Sequence, residues 1–221
     1  MSAAVTTNSS SAERAADRSP VVQRSRERQI ELTTGVIDAG RRLIAERGDR
    51  FTIQELVKEA GIALQTFYRL FAGKDQLLLA VLGDMITEHC AQLEEAAQGL
   101  PDPVARLRFY VTSVVQLLDG EEPPDGPRFT TAQHWRLYQL FPEEMSQATQ
   151  HFADIILRQL ELARTQGLLP ETDPRRDAWF VTQLVLTVYH HYAFADRDRG
   201  EGTTAEDLWV FCRRALGDGP N

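Results

Sequence analysis

The sequence predicts an all-α protein of about nine helices, with an N-terminal three-helix unit containing a helix-turn-helix and a larger helical C-terminal domain. Three observations carry this. From residue 23 onward apolar residues recur at helical spacing. No segment alternates with period two alongside β-branched enrichment, which is the pattern a half-buried strand requires. The breaker stretches "GLPDP" (99–103) and "GEEPPDGP" (120–127) cut the C-terminal part into helix-length pieces. With 221 residues, 43% of them hydrophobic and 25% charged, the chain is long enough to bury a substantial core.

The elements follow in order. Residues 1–22 are rich in Ser, Ala and Thr and read as a disordered tail. They lack the apolar segment of a signal peptide. Ile30, Ile37, Leu43 and Ile44 mark a first helix over 23–47, ended by Gly48. Thr52 with Glu55 three residues later is a capping-box pattern that opens a short second helix. Gly61 closes it, because glycine tolerates the positive φ of a helix C-terminus. A third helix covers 63–71, and Gly73-Lys74 leads into a fourth with Leu77, Leu78, Val81, Leu82, Met85 and Ile86. Further helices are predicted over 102–119, 128–141, 142–166, 174–197 and 203–216. The expected division is a tail (1–22), a helix-turn-helix domain (23–73) and a helical domain (74–221).

Charge is unevenly spread. The chain carries −8 in total, yet residues 1–75 hold 12 Lys+Arg against 10 Asp+Glu and the remainder 12 against 22. An anionic partner is therefore expected at the first third, while the acidic remainder stays off a phosphate backbone. At about 100° per residue, Leu64, Gln65, Tyr68 and Arg69 fall on one side of the third helix, opposite Ala63, Phe67 and Leu70. The first group suits a DNA groove. Gln65 can pair bidentately with an adenine edge, Leu64 can touch a thymine methyl, and Arg69 can reach guanine or a phosphate. Thr66 and Tyr68 offer hydroxyls to phosphate oxygens, Lys74 adds a cation beside a helix start, and Gln54 is a further base-edge candidate. Arg24, Arg26 and Arg28 lie where an arm can approach the minor groove.

Thr52, Ala60-Gly61-Ile62, Thr66-Phe67-Tyr68, Phe71 and Lys74-Asp75 with Leu77 and Leu78 stand in one register. In this pattern residues 26–86 resemble the TetR family of one-component transcriptional regulators. Gln65 departs from it where many members have glycine, Leu70 where His or Tyr is usual, and Val57 where alanine is frequent. The resemblance implies DNA backbone contacts from Thr66, Tyr68 and Lys74 and base or groove contacts from Gln54, Leu64 and Gln65; Thr52 and Arg69 complete the expected DNA-binding set. The resemblance also implies a C-terminal dimer and a small-molecule pocket. The expected function is a sequence-specific DNA-binding regulator: a repressor released from a palindromic operator by a small, lipophilic effector. The alternatives are an activator-type regulator whose effector promotes DNA binding, and a helical adaptor for protein partners.

Residues 178–194, "AWFVTQLVLTVYHHYAF", contain no charged side chain. A helix apolar on most of its surface is buried on more than one side. Trp179, Leu184, Val188 and His191, with Trp209 of the following helix, are therefore expected at a homodimer interface. The polar residues within the run argue against a membrane span. Phe109, His134, Trp135, Tyr138 and Phe152 are the candidates for an effector pocket of mostly apolar lining.

Catalysis and metal binding are not expected. Adjacent residues on a helix diverge by about 100°, so neither His89-Cys90 nor His190-His191 presents two ligands to one ion. No catalytic or dinucleotide fingerprint is present, and no cofactor is expected. Cys90 and Cys212 have no ligand spacing and read as reduced packing residues of a cytoplasmic protein.

Overall fold

A computed structural model of the chain describes residues 19–118, 125–194 and 204–217. The tail expected over 1–22 falls mainly outside the described residues, as do most of the loop expected over 120–127 and the last turn expected at 195–197. Among the described residues there are nine α-helices and no strand: α1 (Pro20–Arg47), α2 (Ile53–Glu59), α3 (Leu64–Leu70), α4 (Lys74–Ala96), α5 (Pro103–Gln116), α6 (Asp125–Leu140), α7 (Pro142–Thr165), α8 (Pro174–Tyr192) and α9 (Thr204–Ala215). A 3₁₀ turn (Ala97–Gly99) follows α4.

Local chemistry sets most boundaries. Thr52 caps α2 in a full capping box: its hydroxyl accepts from Glu55 N, and its own N–H donates to Glu55 Oε2 at 2.7 Å. Gly61 takes φ 65° in the turn between α2 and α3, a conformation that costs a side-chain-bearing residue about 1 kcal/mol or more. Asp102 caps α5 by accepting from Ala105 N at 2.8 Å. At α8, Asp173 accepts from Arg176 N while its own N–H donates to Asp177 Oδ2. Pro103, Pro142 and Pro174 each occupy a first helical position, where the missing N–H forfeits no hydrogen bond.

Two boundaries differ from expectation. Helix α6 begins at Asp125 rather than 128, inside the stretch read as loop, because a proline in the first turn of a helix is tolerated. Helix α8 ends at Tyr192 rather than 197, closing with Ala193 N–H to Tyr189 O and a tighter Phe194 N–H to His191 O bond.

Two apolar clusters hold the chain together. The N-terminal one joins Val36, Ala39 and Leu43 of α1 with Leu56, Phe67 and Phe71, then continues into Leu77, Leu78, Val81 and Leu82 of α4 and reaches Leu137 and Met145. Its core therefore runs past residue 73 and includes the last turns of α6. A Cβ on Gly40 would stand 3.3 Å from Val81 Cγ2, so α1 and α4 approach closely there. Arg41 of α1 reinforces the crossing by bonding Asp84 and Glu88 of α4, each at 2.5 Å. The C-terminal cluster packs α5, α7, α8 and α9 on the second half of α4. No helix among the described residues is long and apolar enough to cross a membrane. Cys90 and Cys212 are free and buried, and burial pushes both thiols up to about 11.

Candidate nucleic-acid interface and effector cavity

The third helix is short, and Phe67 anchors it: the ring is buried, stacked on Phe71 at 5.7 Å and edge-on to Tyr68 at 5.3 Å. That anchorage turns the opposite flank to solvent. Leu64 is 44% exposed, Tyr68 is 55% exposed, and Gln65 and Arg69 are likewise exposed. Thr66 and Leu70 are half-buried at the sides. Ala63, expected on the packed side, is exposed. As the N-cap, with extended backbone at φ −74° and ψ 147°, it stands outside the helical arc that the 100° rule describes.

Around this flank, Gln54 projects exposed from the start of α2, and Thr52 is occupied by its cap. The cap hydrogen bonds from Thr52, with Arg47 nearby, hold the Glu55 carboxyl below its usual range. Lys74 is placed differently from a free surface cation. Its Nζ donates to Asp49 O and, at 2.7 Å, to Phe51 O, and it lies 4.3 Å from the centre of the Phe51 ring. Partial burial pushes its ammonium below the ordinary lysine range, opposed by the nearby Asp49. Lys74 thus ties the turn before α2 to the first turn of α4. Arg24, Arg26 and Arg28 are exposed on the first turns of α1, which stand clear of the core until Val36.

In the C-terminal half, α4, α5, α6, α7 and α8 line a cavity of about 250 Å³ that is partly open to solvent. Of the residues expected there, His134 and Phe152 line it. Trp135 (59% exposed) and Tyr138 lie outside, and Phe109 packs half-buried on the C-terminal core. The reason is rotational: Thr130, His134 and Leu137 follow the i, i+4, i+7 stripe that faces inward, and Trp135 is turned one residue away from it.

The sequence reading missed His89, Tyr189 and His190, all of which line the cavity. The His134 and His190 rings lie 4.6 Å apart. Burial, and secondarily the neighbouring His134, pushes His190 down to about 4; burial alone lowers His89 and His134. All three imidazoles are therefore neutral near pH 7. The Tyr189 hydroxyl bonds the Thr130 side chain, and burial pushes it up to about 12.

Helix α6 joins the two regions. While His134 faces the cavity, the adjacent Gln133 is buried and donates Nε2 to Asp49 Oδ2 at 3.1 Å. Arg136 bonds Asp75 at 2.5 Å and Gln133 Oε1 at 3.2 Å. One helical turn therefore contacts the cavity on one side and both ends of the helix-turn-helix unit on the other.

Along α8, Trp179 and Phe180 are 56% and 58% exposed and pack against each other at 4.9 Å. His191 is exposed, while Leu184 and Val188 are half-buried beside the core. Trp209, expected at the interface, is only 4% exposed and belongs to the chain's own core. It lies in the stripe Ala205, Leu208, Trp209, Cys212, Leu216, whose i, i+3, i+4, i+7 spacing was visible in the sequence. Phe211 and Val210 are the exposed apolar residues of α9.

An exposed polar flank on the second helix of a tight helical pair defines a helix-turn-helix protein. Residues 36–81 match the family described as bacterial regulatory proteins, tetR family. That match covers the helix-turn-helix unit and the start of α4, and the helical fold around it is shared with solved structures of TetR-family regulators. No curated protein sequence matches the chain. Among solved structures it is similar to RolR in complex with resorcinol (20% identity, 86% of this chain and 90% of that one, TM-score 0.65). It is also similar to a TetR-family regulator from Pectobacterium atrosepticum (18%, 87% and 93%, 0.64) and to FadR from Bacillus subtilis bound to stearoyl-CoA (18%, 83% and 95%, 0.58). At these identities the likeness is one of fold.

Proposed function

We propose that the chain is a homodimeric repressor that leaves a roughly palindromic operator when a small, largely apolar molecule occupies the cavity. The observation that carries the DNA-binding part is the solvent-facing flank of Leu64, Gln65, Tyr68 and Arg69, backed by the buried Phe67. Gln65, Leu64 and Gln54 address base edges, Arg69 addresses guanine or phosphate, and Thr66 and Tyr68 fix register on the backbone. In this reading Thr52 acts by fixing the start of α2, and Lys74 by fixing the turn before it as well as by its charge. The exposed aromatic face of α8, continued by Phe211, pairs with a second copy, which sets two recognition helices about 34–36 Å apart.

The regulatory part is supported by α6, which touches both the cavity and the helix-turn-helix unit. Structures of this fold that hold resorcinol or an acyl-CoA add to it. A hundredfold fall in operator occupancy requires the effector to prefer the released conformation by about 2.7 kcal/mol.

The test is fluorescence anisotropy on promoter DNA next to the gene, across a salt series. Arg69→Ala is expected to weaken binding and to lower the slope of log affinity against log salt by about one. Gln65→Ala is expected to cost about 1–3 kcal/mol of discrimination at one base pair. Wild-type affinity in both variants refutes the assignment of this flank to DNA.

A further inference from the structure

We propose that the cavity takes an uncharged ring compound of about ten non-hydrogen atoms bearing a hydroxyl group, with His89 Nε2 as the hydrogen-bond partner of that hydroxyl. This rests on the reading of the cavity as the effector site and specifies its chemistry.

Size comes first. A dry cavity of about 150 Å³ accommodates benzene. A cavity of about 250 Å³ is therefore filled by one ring with a few substituent atoms.

Charge is the second constraint. Among the described residues lining the cavity there is no Asp, Glu, Lys or Arg, and the three histidines are held neutral by burial. A carboxylate, phosphate or ammonium seated against these described walls would give up hydration without meeting a counter-charge. The described walls offer no basic side chain to pair with an acyl carboxylate or a phosphate.

The polar groups supply the third. Thr149 donates its hydroxyl to Met145 O and Ser146 O, and Tyr189 is bonded to Thr130. The Cys90 thiol stays protonated and is a weak partner. His89 Nε2, by contrast, is buried with no hydrogen-bond partner. A buried nitrogen left unpaired is destabilising, and a ligand group bonding to it removes that cost. A hydroxyl does so for either tautomer, because it donates to a bare nitrogen and accepts from an N–H. An ether or a hydrocarbon lacks that capacity. The rings of Phe152, His134, Tyr189 and His190, with the Met85 thioether, supply faces and edges against which a flat ring packs well.

Isothermal titration calorimetry of the full chain with three probes tests this: 4-ethylphenol, ethylbenzene and 4-ethylbenzoate. The expected result is that 4-ethylphenol binds about tenfold more tightly than ethylbenzene, and that 4-ethylbenzoate shows no heat of binding. In His89→Leu the preference for the phenol over the hydrocarbon disappears, and in His89→Gln, whose amide also donates and accepts, part of it returns. The wild-type series stands without either variant. Equal binding of phenol and hydrocarbon, binding of the benzoate, or no binding by any probe overturns the proposal.

Anisotropy on operator DNA separates this from the regulatory reading. If 4-ethylphenol binds as expected and operator affinity is unchanged, the ligand class stands and the regulatory reading fails. If 4-ethylbenzoate binds and releases DNA, the cavity is regulatory and the ligand class is wrong.

Discussion

Gln133 Nε2 donates to Asp49 Oδ2 across 3.1 Å, joining the helix that carries His134 to the turn that leads into the helix-turn-helix. Gln133 is buried and its Oε1 accepts from Arg136, which in turn holds Asp75 at the start of α4. A rotation or shift of α6 on filling the cavity therefore pulls on both flanks of the recognition unit. Gln133→Leu is expected to lower stability by about 1 kcal/mol and to shrink the effector-induced change in operator affinity. Thermal unfolding reads the first and a DNA titration with and without effector reads the second. An undiminished effector response would locate the coupling elsewhere.

Lys74 has a structural task that its charge alone does not reveal. Its Nζ satisfies the Phe51 carbonyl, and Phe51 is itself buried. Lys74→Met keeps the aliphatic stem and removes the donors. A loss of about 1–3 kcal/mol in unfolding free energy is expected from the unpaired carbonyls, with weaker operator binding. If the salt slope of DNA binding is unchanged while stability falls, Lys74 acts on DNA only by holding the turn.

The cavity histidines make the protein sensitive to acid. His190 titrates at about 4 in the folded chain against 6.5 for the free side chain, chiefly because it is buried and secondarily because His134 faces it. Between those values the unfolded chain binds a proton that the folded chain does not, so stability rises with pH across this window. The contribution is fully present above about pH 6.5 and declines as the pH falls towards 4. Melting temperature measured from pH 7 to pH 4.5 is expected to drop, and to drop less steeply in His190→Phe. Parallel curves for the two proteins would show that His190 does not carry the effect.

In the proposed function the aromatic face of α8 carries the contact between two copies of the chain. Trp179→Glu, at a site more than half exposed in the single chain, removes no contact of the chain's own core but places a charge in the proposed interface. Sedimentation is expected to show a monomer, with operator affinity at least about tenfold lower because two half-sites are no longer bound together. A dimer of undiminished stability would move the interface off this face.

The helices and the solvent-facing flank of α3 were legible in the linear order of residues because their causes are local. Capping by Thr52 and Asp102, the positive φ of Gly61 and the prolines at first helical positions act within a few residues of each boundary. The separation of Leu64, Gln65, Tyr68 and Arg69 from Phe67 follows from 100° of rotation per residue. Where several helices meet, that arithmetic no longer suffices. His89, His134 and His190 come from three different helices and converge only through the packing of α4, α6 and α8. Likewise, nothing local distinguishes the inward His134 from the outward Trp135, or the enclosed Trp209 from the exposed Trp179. Which side of an apolar helix is covered is set by its neighbours, since burial free energy depends on the area removed from water and not on residue type alone.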